Sequence, residues 1–227
     1  MKTTSLNKWV IFIPLFVAVL FSACKKDEND DSGLVVDKPF TMTSTTHPRV
    51  HPVTPASLAL EPLLIGYANV AGSGTGTATD IGEIKTWFNQ LIYSTTGTNP
   101  PTGSYKAPIA EALDYPVLGG PLPLIQEHDF DELREANKWL KIPIYVQGNM
   151  VTSVIYNDKG DAIFASLLTD SKLTPVSATR VNFSAEGVFV GGRGKFANAS
   201  GTYTQTGFFN PENFDEAGYN IEGKISY

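Results

Sequence analysis

The chain is 227 residues long with a formal net charge of −6; 18% of its residues are charged and 42% are hydrophobic. That acidic balance excludes nucleic-acid binding through clustered Lys and Arg, which works by displacing counterions from phosphate. It also excludes docking on anionic lipid through protein charge. One cysteine and three scattered histidines leave no intramolecular disulfide and no zinc-site spacing, so neither metal nor cofactor is expected.

In chain order, Lys2 and Lys8 precede the apolar stretch Trp9–Phe21, which is broken only by Pro14. It is shorter than the ~20 apolar residues of a membrane span and has the charged, apolar, small-residue order of a secretory signal. Leu20-Phe21-Ser22-Ala23-Cys24 resembles a lipobox, with Phe21 where leucine is usual. The resemblance implies a signal peptide over residues 1–23, cleavage before Cys24, and lipid attachment at that cysteine. Several acyl chains anchor stably where a single chain binds reversibly. Thioether formation also removes the only thiol from an oxidising compartment. Without Lys2 and Lys8, the remaining 204 residues carry 15 basic and 23 acidic side chains, a net charge of −8.

The run Lys25–Gly33, with Asp27, Glu28, Asp30 and Asp31, cannot bury apolar surface and reads as a solvated tether. It resembles the acidic signal that follows the lipidated cysteine in surface lipoproteins of the Bacteroidota. That implies the outer face of the outer membrane; a plain spacer would leave the protein periplasmic. Prolines 39, 48, 52 and 55 extend the polar stretch, so residues 24–57 are read as tether and 58–227 as the folded domain. His47 and His51 lie in this extended path, ~13 Å apart and unable to chelate one ion locally, which makes them loop histidines.

From Leu58 the composition turns to β. Thr75, Thr77 and Thr79 alternate, placing three hydroxyls on one strand face. Proline and glycine then dominate about 95–141, an excursion closed by a helix from about Asp129 to Lys141, with Asp129 as cap and His128 just before it. Strand composition resumes over Ile142–Tyr156, and the turn Asn157–Gly160 leads into Asp161–Leu168. Further strands are expected at Ala178–Ser184, Gly187–Val190, Ser200–Phe209 and Tyr219–Tyr227. Short strands with regular turns point to a barrel or a sandwich.

Gly191-Gly192-Arg193-Gly194-Lys195-Phe196, followed by Ala199-Ser200-Gly201, resembles the GGTGxFxxAxG signature of the allene oxide cyclase-like β-barrels, relatives of the dirigent proteins. Arg193 stands where Thr or Ser is usual. Gly76–Gly82 resembles the same family's GxATHLG strand end, with Asp80 in place of His, and Asn157–Phe164 its NGDxIF hairpin. Gly223–Tyr227 resembles its closing strand. The resemblance covers roughly 66–92 and 142–227 and implies a single antiparallel β-barrel, with 95–141 as an insertion containing one short helix. The glycines permit positive φ and a tight entry into the next strand, and Phe196 is placed to plug a barrel end. Such a motif reports fold. The family's cyclase residues have no counterparts in the matching segments, and fold alone does not transmit function.

Gly72–Gly76 lacks the glycine spacing of a dinucleotide loop and leads into a strand; Gly191–Lys195 is not a phosphate loop, and no Gly-x-Ser-x-Gly elbow occurs. Glu127, Asp129, Asp131, Glu132, Asp158 and Asp161 sit near turns and read as solvated carboxylates. Asn182 and Asn198 fall in glycosylation patterns that a bacterial lipoprotein does not use. Two functions compete on this reading. One is a non-enzymatic lipoprotein, attached to the membrane by its anchor, whose barrel binds a small apolar ligand or a partner. The other is a cyclase or isomerase, which would need a carboxylate or tyrosine of perturbed pKa facing the barrel cavity.

Overall fold

Strict alternation of inward and outward residues builds a wall that closes on itself. The computed structural model describes residues 35–52, 68–94, 101–115 and 128–227. Twelve strands are assigned among them: β1 Lys38–His51, β2 Ala68–Ala78, β3 Gly82–Tyr93, β4 Gly103–Lys106, β5 Tyr145–Val146, β6 Asn149–Met150, β7 Ser153–Tyr156, β8 Ala162–Leu167, β9 Ser171–Ser177, β10 Arg180–Arg193, β11 Ser200–Asn210 and β12 Asn213–Ser226. The helix α1 spans Asp131–Leu140, and a 3-10 turn covers Ile109–Asp114.

The chain is mainly β and forms a closed eight-strand antiparallel barrel. Its circuit runs β1–β2–β3–β7–β8–β10–β11–β12 and returns to β1. Between β3 and β10 the wall has two halves. Toward one end Lys85–Phe88 of β3 pair with β7, and Gly187–Arg193 of β10 pair with β8. Toward the other, Gln90–Tyr93 pair with β4, β4 pairs with β9, and β9 pairs with Arg180–Ser184 of β10.

The barrel starts earlier than the sequence suggests. Residues 38–51, expected to belong to the 24–57 tether, form β1 and pair with both β12 and β2. Its inward positions include Ser44 and Thr46 beside Phe40, Met42 and Val50, which blunts the apolar alternation along the sequence. Beyond Thr46 it pairs with β2 alone, where Pro48 is tolerated as on any edge strand. Of the β-like composition expected from Leu58, residues 58–67 lie outside the described residues, as do residues 1–34 with the expected signal, Cys24 and the acidic run.

The 95–141 stretch is not wholly an excursion, since β4 completes the wall. β9 was not anticipated. Ala178–Ser184 and Gly187–Val190 merge into one strand, β10, which bends at an irregularity between Phe189 and Gly191. Ile142–Tyr156 splits into the short hairpin β5–β6 and then β7.

Two cores lie back to back across the wall. Inside, Phe40, Ile84, Ile155, Ile163, Phe189 and Ile221 pack with Phe196, which is fully buried and meets Tyr227 at 4.6 Å between ring centroids. This plugs one end of the barrel. Outside, the apolar stripe Leu133, Ala136 and Leu140 of α1 covers Trp87, Val154, Tyr156 and Phe164 on β3, β7 and β8. Every residue of β8 is therefore buried, which explains its unbroken apolar run. The helix starts at Asp131, two residues later than expected, with Phe130 and not Asp129 in the cap position; Asp129 accepts the Asp131 N–H at 2.8 Å from just outside it.

Arg193, the departure from the glycine-rich signature, ties the helix to the barrel. Its Nε donates to the Leu140 carbonyl at 2.7 Å and its guanidinium also donates to the Lys141 carbonyl at 3.1 Å. A cation thus meets the negative end of the helix. Neighbouring Gly194 has a φ of +59° beside Asp161, whose carboxylate accepts the Lys195 N–H at 3.1 Å, so the turn needs glycine.

Candidate functional site: the open barrel mouth

The end of the barrel opposite Phe196 is hollow. A cavity of about 360 Å³ opens there, within the size range of small-molecule sites. Val50, Val70, Ile92 and Leu173 give it aliphatic walls, and Phe88, Phe183, Phe208, Phe209 and Phe214 give it aromatic ones. Phe209 and Phe214 lie parallel at 5.9 Å, and Arg180 sits over Phe208 at 4.1 Å. Space for the cavity comes from β2, whose inward positions include Gly72, Gly74 and Gly76 between the flanking Val70 and Ala78. A Cβ on Gly72 would lie 2.7 Å from the His47 carbonyl and 3.0 Å from Phe88. The alternating threonines lie on the opposite, outer face; Thr75 and Thr77 are exposed, and Thr79 bonds Thr41 at the strand end.

The polar groups in the cavity are few and uncharged. Ser104 of β4 donates to Gln90 Oε1 at 2.5 Å. Gln205 enters from β11, which lies four strands round the eight-strand circuit from the β3 that carries Gln90, on the opposite wall. Thr46 and Ser94 add hydroxyls. Among the described residues lining the cavity none is Asp, Glu, Lys, Arg or His. The one titratable group is Tyr219, whose hydroxyl is pushed up to about 12 by burial and opposed only by its bond to Thr86. At neutral pH it is a weak acid, not a base. The cavity floor offers a hydrogen-bonding hydroxyl and no proton acceptor of useful strength.

The turn carboxylates lie elsewhere. Asp129, Asp131, Glu132 and Asp158 are exposed, Asp161 holds the Gly194 turn, and Glu127 lies outside the described residues. Lys85 bridges Glu132 at 3.0 Å and Asp158 at 3.2 Å in a shallow, open groove beside Trp139. Those charges satisfy one another.

Sequence reasoning placed His51 and His128 in a loop and at a helix end; both instead belong to an aromatic cluster on the outer wall. His51 is 1% exposed, with Tyr115 at 5.0 Å, Phe130 at 5.2 Å and His128 at 6.4 Å between ring centroids. Trp87 completes the cluster, 5.4 Å from His128. Among the described residues, neither ring nitrogen of His51, nor Nε2 of His128, has a hydrogen-bond partner. Burial, reinforced by the other histidine, lowers His51 to about 4; burial and then Arg49 lower His128 to about 4. His47 stays outside, with Asp215 at 3.3 Å. Alternation explains the split: His47 and His51 share the outer face of β1, but the insertion covers only the strand's end. Among the described residues no group of three or more His, Cys, Asp or Glu is placed to hold a metal ion.

The site and fold together define a small, one-ended β-barrel with a neutral apolar mouth. Compared with family models, curated proteins and solved structures, the chain has no match.

Proposed function

We propose that the chain is an exported lipoprotein, anchored through acyl chains at Cys24 and held at the outer membrane facing outward, whose barrel takes up a small apolar ligand at its open mouth. The cavity carries this reading: it opens at the barrel end opposite the Phe196 plug, is walled by phenylalanines, and is free of ionised side chains among its described lining residues. Burying an apolar molecule there stabilises the complex by roughly 25 cal/mol per Å² removed from water. The same lining argues against the cyclase or isomerase alternative, which needs a carboxylate or comparable base at the reacting atoms. The lipobox at Leu20–Cys24 supports the anchor, the acidic run behind it supports the outward address, and the Gly191–Gly201 motif supports kinship with allene oxide cyclase-like barrels.

Binding is tested by calorimetric titration of naphthalene into the chain reconstituted in phosphatidylcholine vesicles, with empty vesicles as blank. One saturable site is expected, and it is lost in Ala68→Trp, which fills the rim of the mouth. Equal heats for both proteins would remove the cavity from the functional reading.

A further inference from the structure

Resting on that reading, we infer that the ligand class is neutral and aromatic, carrying a carbonyl or similar hydrogen-bond acceptor that two opposed glutamine amides address. The phenylalanines select the ring. Aromatic pairs gain from offset or edge-on packing beyond their buried area, and Phe88, Phe183, Phe208, Phe209 and Phe214 present such surfaces round one mouth. The glutamines select the polar edge. Gln205 is 8% exposed, lines the cavity, and makes no side-chain hydrogen bond among the described residues. Its amide is not among the sealed, unpartnered polar groups of the described residues, so it reaches the open cavity, where water or a ligand satisfies it. Gln90 uses Oε1 to accept from Ser104, which orients its amide and leaves Nε2–H as the uncommitted donor. Both amides therefore have donors to give, on strands that face each other across the barrel.

Charge is what the site rejects. A carboxylate entering the mouth would lose its hydration with no Lys, Arg or His among the described lining residues to replace it. Free fatty acids and aromatic acids fall outside the class; ketones, lactones and amides of similar size fall within it. Arg180 does not alter this, because its guanidinium lies over Phe208 and its Nε donates to Asn182 at 3.0 Å.

A matched ring series tests the assignment on the vesicle-reconstituted chain at pH 7: naphthalene, 2-acetonaphthone and 2-naphthoate. The ketone and the carboxylate have nearly the same shape and differ in charge. The ketone is expected to bind about fivefold tighter than naphthalene, the gain of one net hydrogen bond, and at least tenfold tighter than the naphthoate. Gln205→Leu is expected to bring the ketone's affinity down to that of naphthalene measured on the same variant. Gln205→Met, which keeps the side-chain length, repeats the test, with thermal unfolding recorded for both variants. Naphthoate binding as tightly as the ketone overturns the neutral class and leaves the cavity reading standing. A ketone advantage that survives both glutamine variants and Gln90→Leu overturns the role of the amides. Failure of all three probes overturns the cavity reading itself.

Discussion

Acid should loosen this protein through two buried histidines. In the folded chain His51 is lowered from 6.5 to about 4, chiefly by burial and secondarily by His128. Its ring is neutral inside the cluster with Tyr115, Phe130 and Trp87, while the unfolded chain takes up a proton near pH 6.5. The folded value is the depressed one, so the full stability is present above about pH 6.5. It is lost as pH falls toward 4, and little more is lost through this group below that. One pKa step is about 1.4 kcal/mol, so His51 alone accounts for about 3 kcal/mol across the window. His128 is only half-buried and its shift is partly shared with Arg49 and His47; solvent screening reduces its share to roughly 1–2 kcal/mol. Asp129 opposes that shift weakly. The groups facing the pair are thus mostly cationic or aromatic, and none stabilises an imidazolium strongly. Urea unfolding of the wild type and of His51→Phe at pH 7.5, 6, 5 and 4.5 isolates this contribution together with its coupling to His128, because titrations elsewhere cancel in the difference. The wild type should lose about 3 kcal/mol more than the variant between pH 7.5 and 4.5. Parallel pH profiles would show that His51 is solvated and that the insertion does not seal against the barrel wall there.

Further outcomes follow from other contacts in the barrel and from the N-terminal sequence. Arg193→Ala removes both donors from the α1 carboxyl end and should cost about 1.5–3 kcal/mol, with faster amide exchange confined to residues near Leu140. Arg193→Lys should recover only part of that, since an ammonium cannot reproduce the fork. Phe130→Ala empties the centre of the outer cluster, where the ring is fully buried, and should cost about 3–5 kcal/mol by chemical denaturation. In cells, Cys24→Ser should abolish palmitate labelling and release the chain from the membrane fraction. Changing Asp27, Glu28, Asp30 and Asp31 to Ala should protect the chain from protease added to whole cells; unchanged cleavage would reject the acidic run as an address.

Much of the barrel was legible because its pattern is local. The turn Asn157–Gly160 announces the hairpin that joins β7 to β8, and the spacing of Leu133, Ala136 and Leu140 announces a helix with one apolar face. Gly191–Gly194 announces a tight entry into a new strand. β1 was not legible, because small hydroxyl residues inside a barrel look polar in sequence while being buried by their partners. β9 was hidden for a similar reason: only Ser171 and Leu173 of its seven residues are buried.

The composition, the single cysteine and the strand periodicities are properties of the chain alone; the β-rich domain with one helix is read from them, and the proposal of an exported, lipid-anchored chain rests on them. Which residues meet is decided by closure. His51 and His128 lie 77 positions apart and become neighbours only because β1 and the insertion cover the same stretch of wall. Gln90 and Gln205 stand on opposite walls only because eight strands complete a circuit, and the mouth is hollow because the inward positions of β2 beside it are glycines. Periodicity says which face a side chain takes; the shape of the closed wall determines what stands across from it.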